Sequence, residues 1–259
     1  DDLSMVVDLT ENLDSPVSYY ACKDIERIEN AVNKYIRSTF MLHAVQQYKR
    51  CNIDEALRIL KEENNNSDAY YRVKLEVIEN TLPGKDEKEF DKLDFAEMLS
   101  LFPEEDYFNK LIHVYEKSIV ANRVYKYFPA FIDCVSMKNS PSMLLADSRS
   151  RRHPRRGVLG SKLLETLVQL LVLRQKEDGS YETHSLSIED LASEISNRYG
   201  LIINGVHEKR FADADVEMNA AFKVNMDAFK NKLRQIGFYT DMSDACILQK
   251  IRPRYKLDE

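Results

Sequence analysis

The chain has 259 residues, of which only 7 are Gly and 7 are Pro. That is about half the combined share in an average protein, which sets aside sandwich, barrel, collagen-like and low-complexity classes. With 44 % hydrophobic and 31 % charged residues, the balance is that of a mostly helical globular chain with a real core. The net charge of -6 is uneven. Residues 1–140 carry 18 Lys and Arg against 26 Asp and Glu, whereas 141–259 carry 19 against 17. Such asymmetry implies two units with different partners.

No apolar run reaches the length of a membrane span, since 158–173 is interrupted by Ser161, Lys162, Glu165 and Gln169. The first ten residues, DDLSMVVDLT, lack the basic start and cleavage pattern of a secretion signal. Cys22, Cys51, Cys134 and Cys246 are scattered, with no CxxC or CxxH pair, and read as reduced thiols rather than zinc ligands. The expected location is the cytoplasm, in association with the nucleoid, or the nucleus in a eukaryotic cell. No cofactor and no membrane partner are expected.

In chain order, Ile25, Ile28, Val32, Tyr35, Ile36 and Phe40 recur at helical steps and predict a helix over 23–50. Asn52 is placed to cap a second helix carrying Ala56, Leu57 and Leu60. NIDEALRIL resembles one helix of a tetratricopeptide repeat, but no second copy follows at the 34-residue period of that family. A third helix is predicted from 67 or 68 to 82, a fourth over 87–101, a fifth from Pro103 to 124 and a sixth after Pro129. Residues 1–140 are therefore expected to form a helical bundle that assembles with itself or with a protein partner.

Residues 141–157 read as a basic linker. It holds Arg149, Arg151, Arg152, Arg155 and Arg156, a lead-in able to neutralise phosphates and release their counterions. A strongly apolar helix follows over 158–173, then a turn at QKEDGS and a short strand in SYETHSL. Ser187 and Asp190 suit a capping box, with Leu186 and Leu191 as its hydrophobic staple. That helix stops at Tyr199 and Gly200. Met218, Phe222, Met226, Phe229, Leu233 and Ile236 make one stripe on a helix over 217–236, and residues 238–252 read as a β-hairpin.

This order, carried by GVLGSKLLETLVQLLVL, LSIEDLASEISNRYG, DAFKNKLRQIGF and a hairpin ending in IRPRY, resembles a winged helix-turn-helix domain over 157–257. The expected fold class is mainly α, with an N-terminal helical bundle followed by a winged domain over 158–259. The resemblance implies binding to double-stranded DNA through Lys230, Asn231, Arg234 and Gln235 of the third helix. Lys250, Arg252 and Arg254 on the last strand would extend that face. A loop of unusual length between the second and third helices departs from the family, as do Asp241 and Asp244 at the hairpin tip. RRGVLGSKLLETL and RYGLII are also similar to proteins of bacterial genome-defence cassettes. The alternative reading is an adaptor subunit of a larger, defence-related complex, with the winged helix used for protein contact.

No catalytic pattern stands out. Residues 157–162 miss the phosphate-loop spacing, and Met218 stands where a calcium loop starting at Asp213 needs Gly. The five histidines are not spaced as ligand pairs. The chain is expected to be a non-enzyme without a metal site.

Overall fold

In the computed structural model, residues 3–81, 99–117, 125–136, 140–146, 155–239 and 251 are described. They are mainly helical: α1 (Pro16–Lys49), α2 (Ile53–Glu62), α3 (Ala69–Thr81), α4 (Tyr107–Tyr115), α5 (Tyr125–Val135), α6 (Ser161–Val172), α7 (Ile188–Tyr199) and α8 (Val216–Gln235). Four short strands accompany them: β1 (Met5–Val6), β2 (Leu173–Gln175), β3 (Tyr181–Thr183) and β4 (Leu201–Ile202). Among the described residues, no helix is long and apolar enough to cross a membrane.

Local chemistry sets the helix starts. The Ser15 hydroxyl accepts from the Val17 N–H at 3.3 Å, and Pro16 stands at the first helical position, where it forfeits no bond. Asn52 caps α2 through Glu55 N–H, and Asp106 caps α4 through Asn109 N–H. The α4 start therefore lies at Tyr107, not at Pro103. Helix α5 begins at Tyr125 and so contains Pro129 instead of following it. The fourth predicted helix falls almost entirely outside the described residues.

The chain divides into two compact units, residues 1–30 with 132–259 and residues 31–131. Residues 1–30 thus belong with the C-terminal half. The reason is that the N-terminal strand folds with the C-terminal half: β1 pairs in parallel with β4, Met5 opposite Leu201 and Val6 opposite Ile202.

The 31–131 unit packs Ala44, Val45, Ala56, Ile59, Leu75, Leu111 and Ile112 around aromatic rings. Tyr48 stacks on Tyr70 at 4.4 Å, and fully buried Tyr71 meets Phe108 at 4.9 Å. Stacked and edge-on pairs of this kind add stability beyond the area they bury.

The other unit is built on α6, α7 and α8. Ser187 accepts from Asp190 N–H at 3.0 Å, and its hydroxyl donates to the Asp190 carboxylate at 2.7 Å. Leu186 and Leu191 are both buried beside this cap. Gly200 ends α7 in the left-handed region, at φ +67°. Between α6 and α7, β2 and β3 form an antiparallel hairpin across the turn carrying Gly179. The segment between α7 and α8 contains β4 and a short 3₁₀ turn (Lys209–Phe211), which accounts for its length. Of the hairpin expected over 238–252, only Phe238, Tyr239 and Ile251 are described. All three are buried in the same core, and Ile251 N–H donates to Leu186 O at 2.8 Å.

Candidate functional site

Helix α8 is anchored by fully buried Phe229 and Leu233, which sends the side chains of its opposite face outward. Asn231, Arg234 and Gln235 are exposed, and Lys230 is half-buried. Asn231 accepts from the Arg234 guanidinium at 2.5 Å, and Arg234 also lies 5.5 Å from the Tyr239 ring. Lys230 Nζ is 3.8 Å from Asp227. The four expected α8 residues thus share one region, which is mixed in charge. Lys232 turns inward and donates to the Leu159 carbonyl, and burial pulls its pKa below the usual lysine value.

Where the arginine lead-in is described, its side chains meet carboxylates. Arg155 pairs with Asp133 at 2.9 Å and approaches Glu29 at 4.0 Å. The Arg156 guanidinium donates to the Asp8 carboxylate at 3.1 Å, with a side-chain exposure of 13 % against 0 % for Asp8. Both cations are held by carboxylates within their own unit. Arg149, Arg151, Arg152, Lys250, Arg252 and Arg254, together with Asp241 and Asp244, lie outside the described residues.

Sequence reasoning missed the polar groups that fasten the N-terminal strand. Asp24 accepts from Val6 N–H at 2.7 Å, from Arg27 at 3.3 Å and from Arg210 at 2.6 Å. Arg27 also donates to the Ser4 carbonyl. Asn225, fully buried within the apolar stripe of α8, donates to Val7 O at 3.0 Å and Ile203 O at 2.8 Å. It accepts from Leu9 N–H at 2.9 Å. An Asn interrupting an apolar helical face is the one signal that pointed here. Nearby, burial raises the pKa of the Cys22 thiol against the opposing influence of Arg156.

A pocket of about 340 Å³ opens between the start of α1, the 3₁₀ turn and the start of α8. Tyr20 and Phe211 meet edge-to-face at 5.1 Å on its wall, and Arg210, Asp213 and Glu217 supply its charge. Asp215 also lines it, but its carboxylate caps α8 by accepting from Met218 N–H at 2.8 Å. The acidic run that began like a calcium loop therefore serves as a helix cap. Among the described residues, no group of His, Cys, Asp and Glu side chains is arranged to hold a metal ion.

A family model described as methylation-associated defense system protein MAD7 matches residues 1–255. The chain belongs to the MAD7 family. No curated protein and no solved structure matches it. Membership agrees with the likeness of RRGVLGSKLLETL and RYGLII to genome-defence proteins. In this MAD7 chain both segments hold a closely placed glycine. A Cβ on Gly157 would lie 2.7 Å from Val6 O, and Gly200 hands the chain from α7 to β4.

Proposed function

We propose that the chain is a non-enzymatic adaptor subunit of a methylation-associated defence complex, working through protein contacts of its C-terminal unit. The observation that carries this reading is the internal pairing of Arg155 and Arg156 with Asp133 and Asp8. Arg156 is held by a fully buried carboxylate, and such a guanidinium is a poor phosphate ligand, because leaving its partner strands that partner's charge. The mixed charge of the α8 face points the same way, and family membership supports a place in a multi-component system.

The winged-helix reading belongs to this proposal. It is supported by the order of α6, α7 and α8, by the burial of Phe238, Tyr239 and Ile251 in one core, and by the backbone bond from Ile251 to Leu186. A wing requires the chain after the third helix to return to the segment before the second, and the Ile251 bond to Leu186 is consistent with that return.

DNA binding through α8 is the second reading, favoured by the exposure of Asn231, Arg234 and Gln235. Fluorescence anisotropy with mixed-sequence duplex DNA separates the two. The adaptor reading expects no saturable binding at low salt. Tight binding that falls steeply with added salt, and that is lost on Arg234→Ala with Asn231→Ala, establishes the DNA reading instead.

A further inference from the structure

We infer that Asn204 is a site of self-modification: in the folded chain its side-chain amide closes onto the Gly205 nitrogen, expels ammonia and opens to aspartate or isoaspartate. This does not depend on the adaptor reading. Residues 204 and 205 are the one Asn–Gly pair in the sequence, and the fold bears on its reactivity in four ways.

The first is that packing fixes the glycine. Gly205 is buried, and a Cβ there would run into the Phe222 ring and lie 2.8 Å from the Phe211 ring. Both rings are buried, so neither gives way. With no side chain, residue 205 does not shield its nitrogen from the Asn204 carboxamide. The second is the nucleophile. Among the described residues the Gly205 N–H donates to no acceptor, although the Gly205 carbonyl accepts from Glu208 N–H at 3.0 Å. Such an amide loses its proton without a hydrogen bond to break. The third is the electrophile. Asn204 Oδ1 accepts from the Val206 N–H at 3.2 Å. This Asx turn mimics a backbone turn and folds Cγ back toward the Gly205 nitrogen. The same bond stabilises the negative charge that develops on Oδ1 as Cγ is attacked. The fourth is access. Asn204 is only half-buried, which leaves a way out for ammonia and a way in for water.

The reaction balances with water as its only co-reactant. The Gly205 nitrogen gives its proton to solvent base and bonds to Asn204 Cγ. The Cγ–Nδ2 bond breaks, and ammonia leaves after taking a proton back from solvent. Water then opens the cyclic imide. Cleavage at Cγ gives aspartate, and cleavage at the main-chain carbonyl gives isoaspartate, whose backbone runs through Cβ and Cγ. The added methylene falls directly after Ile203, whose carbonyl Asn225 holds at 2.8 Å, and so loosens the segment that joins β4 to α8.

The test is incubation of the full unaltered chain at mildly alkaline pH, then digestion and mass spectrometry of the peptide that holds Asn204. A synthetic peptide of residues 201–208 is incubated beside it. The folded chain is expected to form isoaspartate at Asn204 within about tenfold of the free peptide's rate, because the turn holds the reacting groups together. It is expected to react faster there than at the Asn66–Ser67 pair. Asn204→Gln, whose longer arm does not close the same ring, is expected to give no such product. The aged chain is expected to exchange amide hydrogens faster than the fresh chain at Ile202 and Ile203. A folded chain that reacts at Asn204 more slowly than that margin, or only in urea, overturns the inference on the unaltered protein. Equal exchange in the fresh and aged chains overturns the consequence for β4.

Discussion

Asp8 and Arg156, 148 residues apart in the chain, form an ion pair at 3.1 Å with the carboxylate fully buried. The pair joins the N-terminal strand to the last arginine of the basic run. Asp8 also accepts from the Thr10 N–H and hydroxyl, at 2.9 and 2.8 Å. Asp8→Ala strands a largely buried guanidinium, so urea unfolding is expected to show a loss of about 3 kcal/mol. Asp8→Leu combined with Arg156→Met is expected to recover most of it, since an apolar pair of similar volume costs little in place of a buried ion pair. A single variant as stable as the parent chain would show that the pair contributes nothing.

Asn225 makes three hydrogen bonds at a fully buried position, to Val7, Leu9 and Ile203. Asn225→Ala removes all three and leaves Val7 O, Leu9 N–H and Ile203 O, which follow β1 and β4, short of partners. Each buried group left unpaired costs about 1–3 kcal/mol, so a drop of at least about 3 kcal/mol is expected. Hydrogen exchange is expected to show early loss of protection at Val6 and Val7. Asn225→Leu improves the apolar stripe of α8 and is expected to destabilise all the same, which separates bonding from packing.

Gly200 and Gly179 both have positive φ, +67° and +86°, in different surroundings. A Cβ on Gly200 meets Ser4 Cα at 3.3 Å, while on Gly179 it meets nothing within 4 Å. Gly179→Ala is expected to cost only the left-handed penalty of about 1–2 kcal/mol. Gly200→Ala is expected to cost more, because Ser4 and β1 must also move. Equal melting temperatures for the two variants would contradict the close approach of the N-terminal strand.

His113 supplies a pH dependence in the 31–131 unit. Burial and the positive charges of Lys117 and Arg37 lower its pKa, outweighing the opposing Glu116 carboxylate. Its Nε2 is buried with no hydrogen-bond partner among the described residues, and Nδ1 is 3.7 Å from Glu116. A histidine held neutral when folded takes up its proton more readily when unfolded. Stability is therefore full above the ordinary histidine pKa of about 6.5 and declines as pH falls below it. His113→Gln is expected to flatten the stability profile between neutral and mildly acidic pH. A variant profile parallel to that of the parent chain would assign the acid sensitivity to other groups.

Much of the helical scaffold was legible because it is written locally. The Ser187 cap, the left-handed Gly200 and the stripe Met218–Phe222–Met226–Phe229–Leu233 each depend on residues within a few turns of one another. What was not legible depends on partners far apart in the chain. Two-residue strands carry no usable alternation, so nothing in MV or LI announces the β1–β4 pair. The carboxylates that meet Arg155 and Arg156 come from Asp133 and Asp8, and no local pattern announces them. The pocket was hidden for the same reason, since Tyr20, Phe211 and Glu217 come from three separate elements.

The most direct measurement is native mass spectrometry of the full chain co-expressed with the other proteins of its defence system, after nuclease treatment. An adaptor subunit is expected in a stoichiometric complex that survives the nuclease. A chain that stays alone with those proteins present, yet binds duplex DNA with a steep salt dependence, would contradict the adaptor role and return the function to nucleic acid.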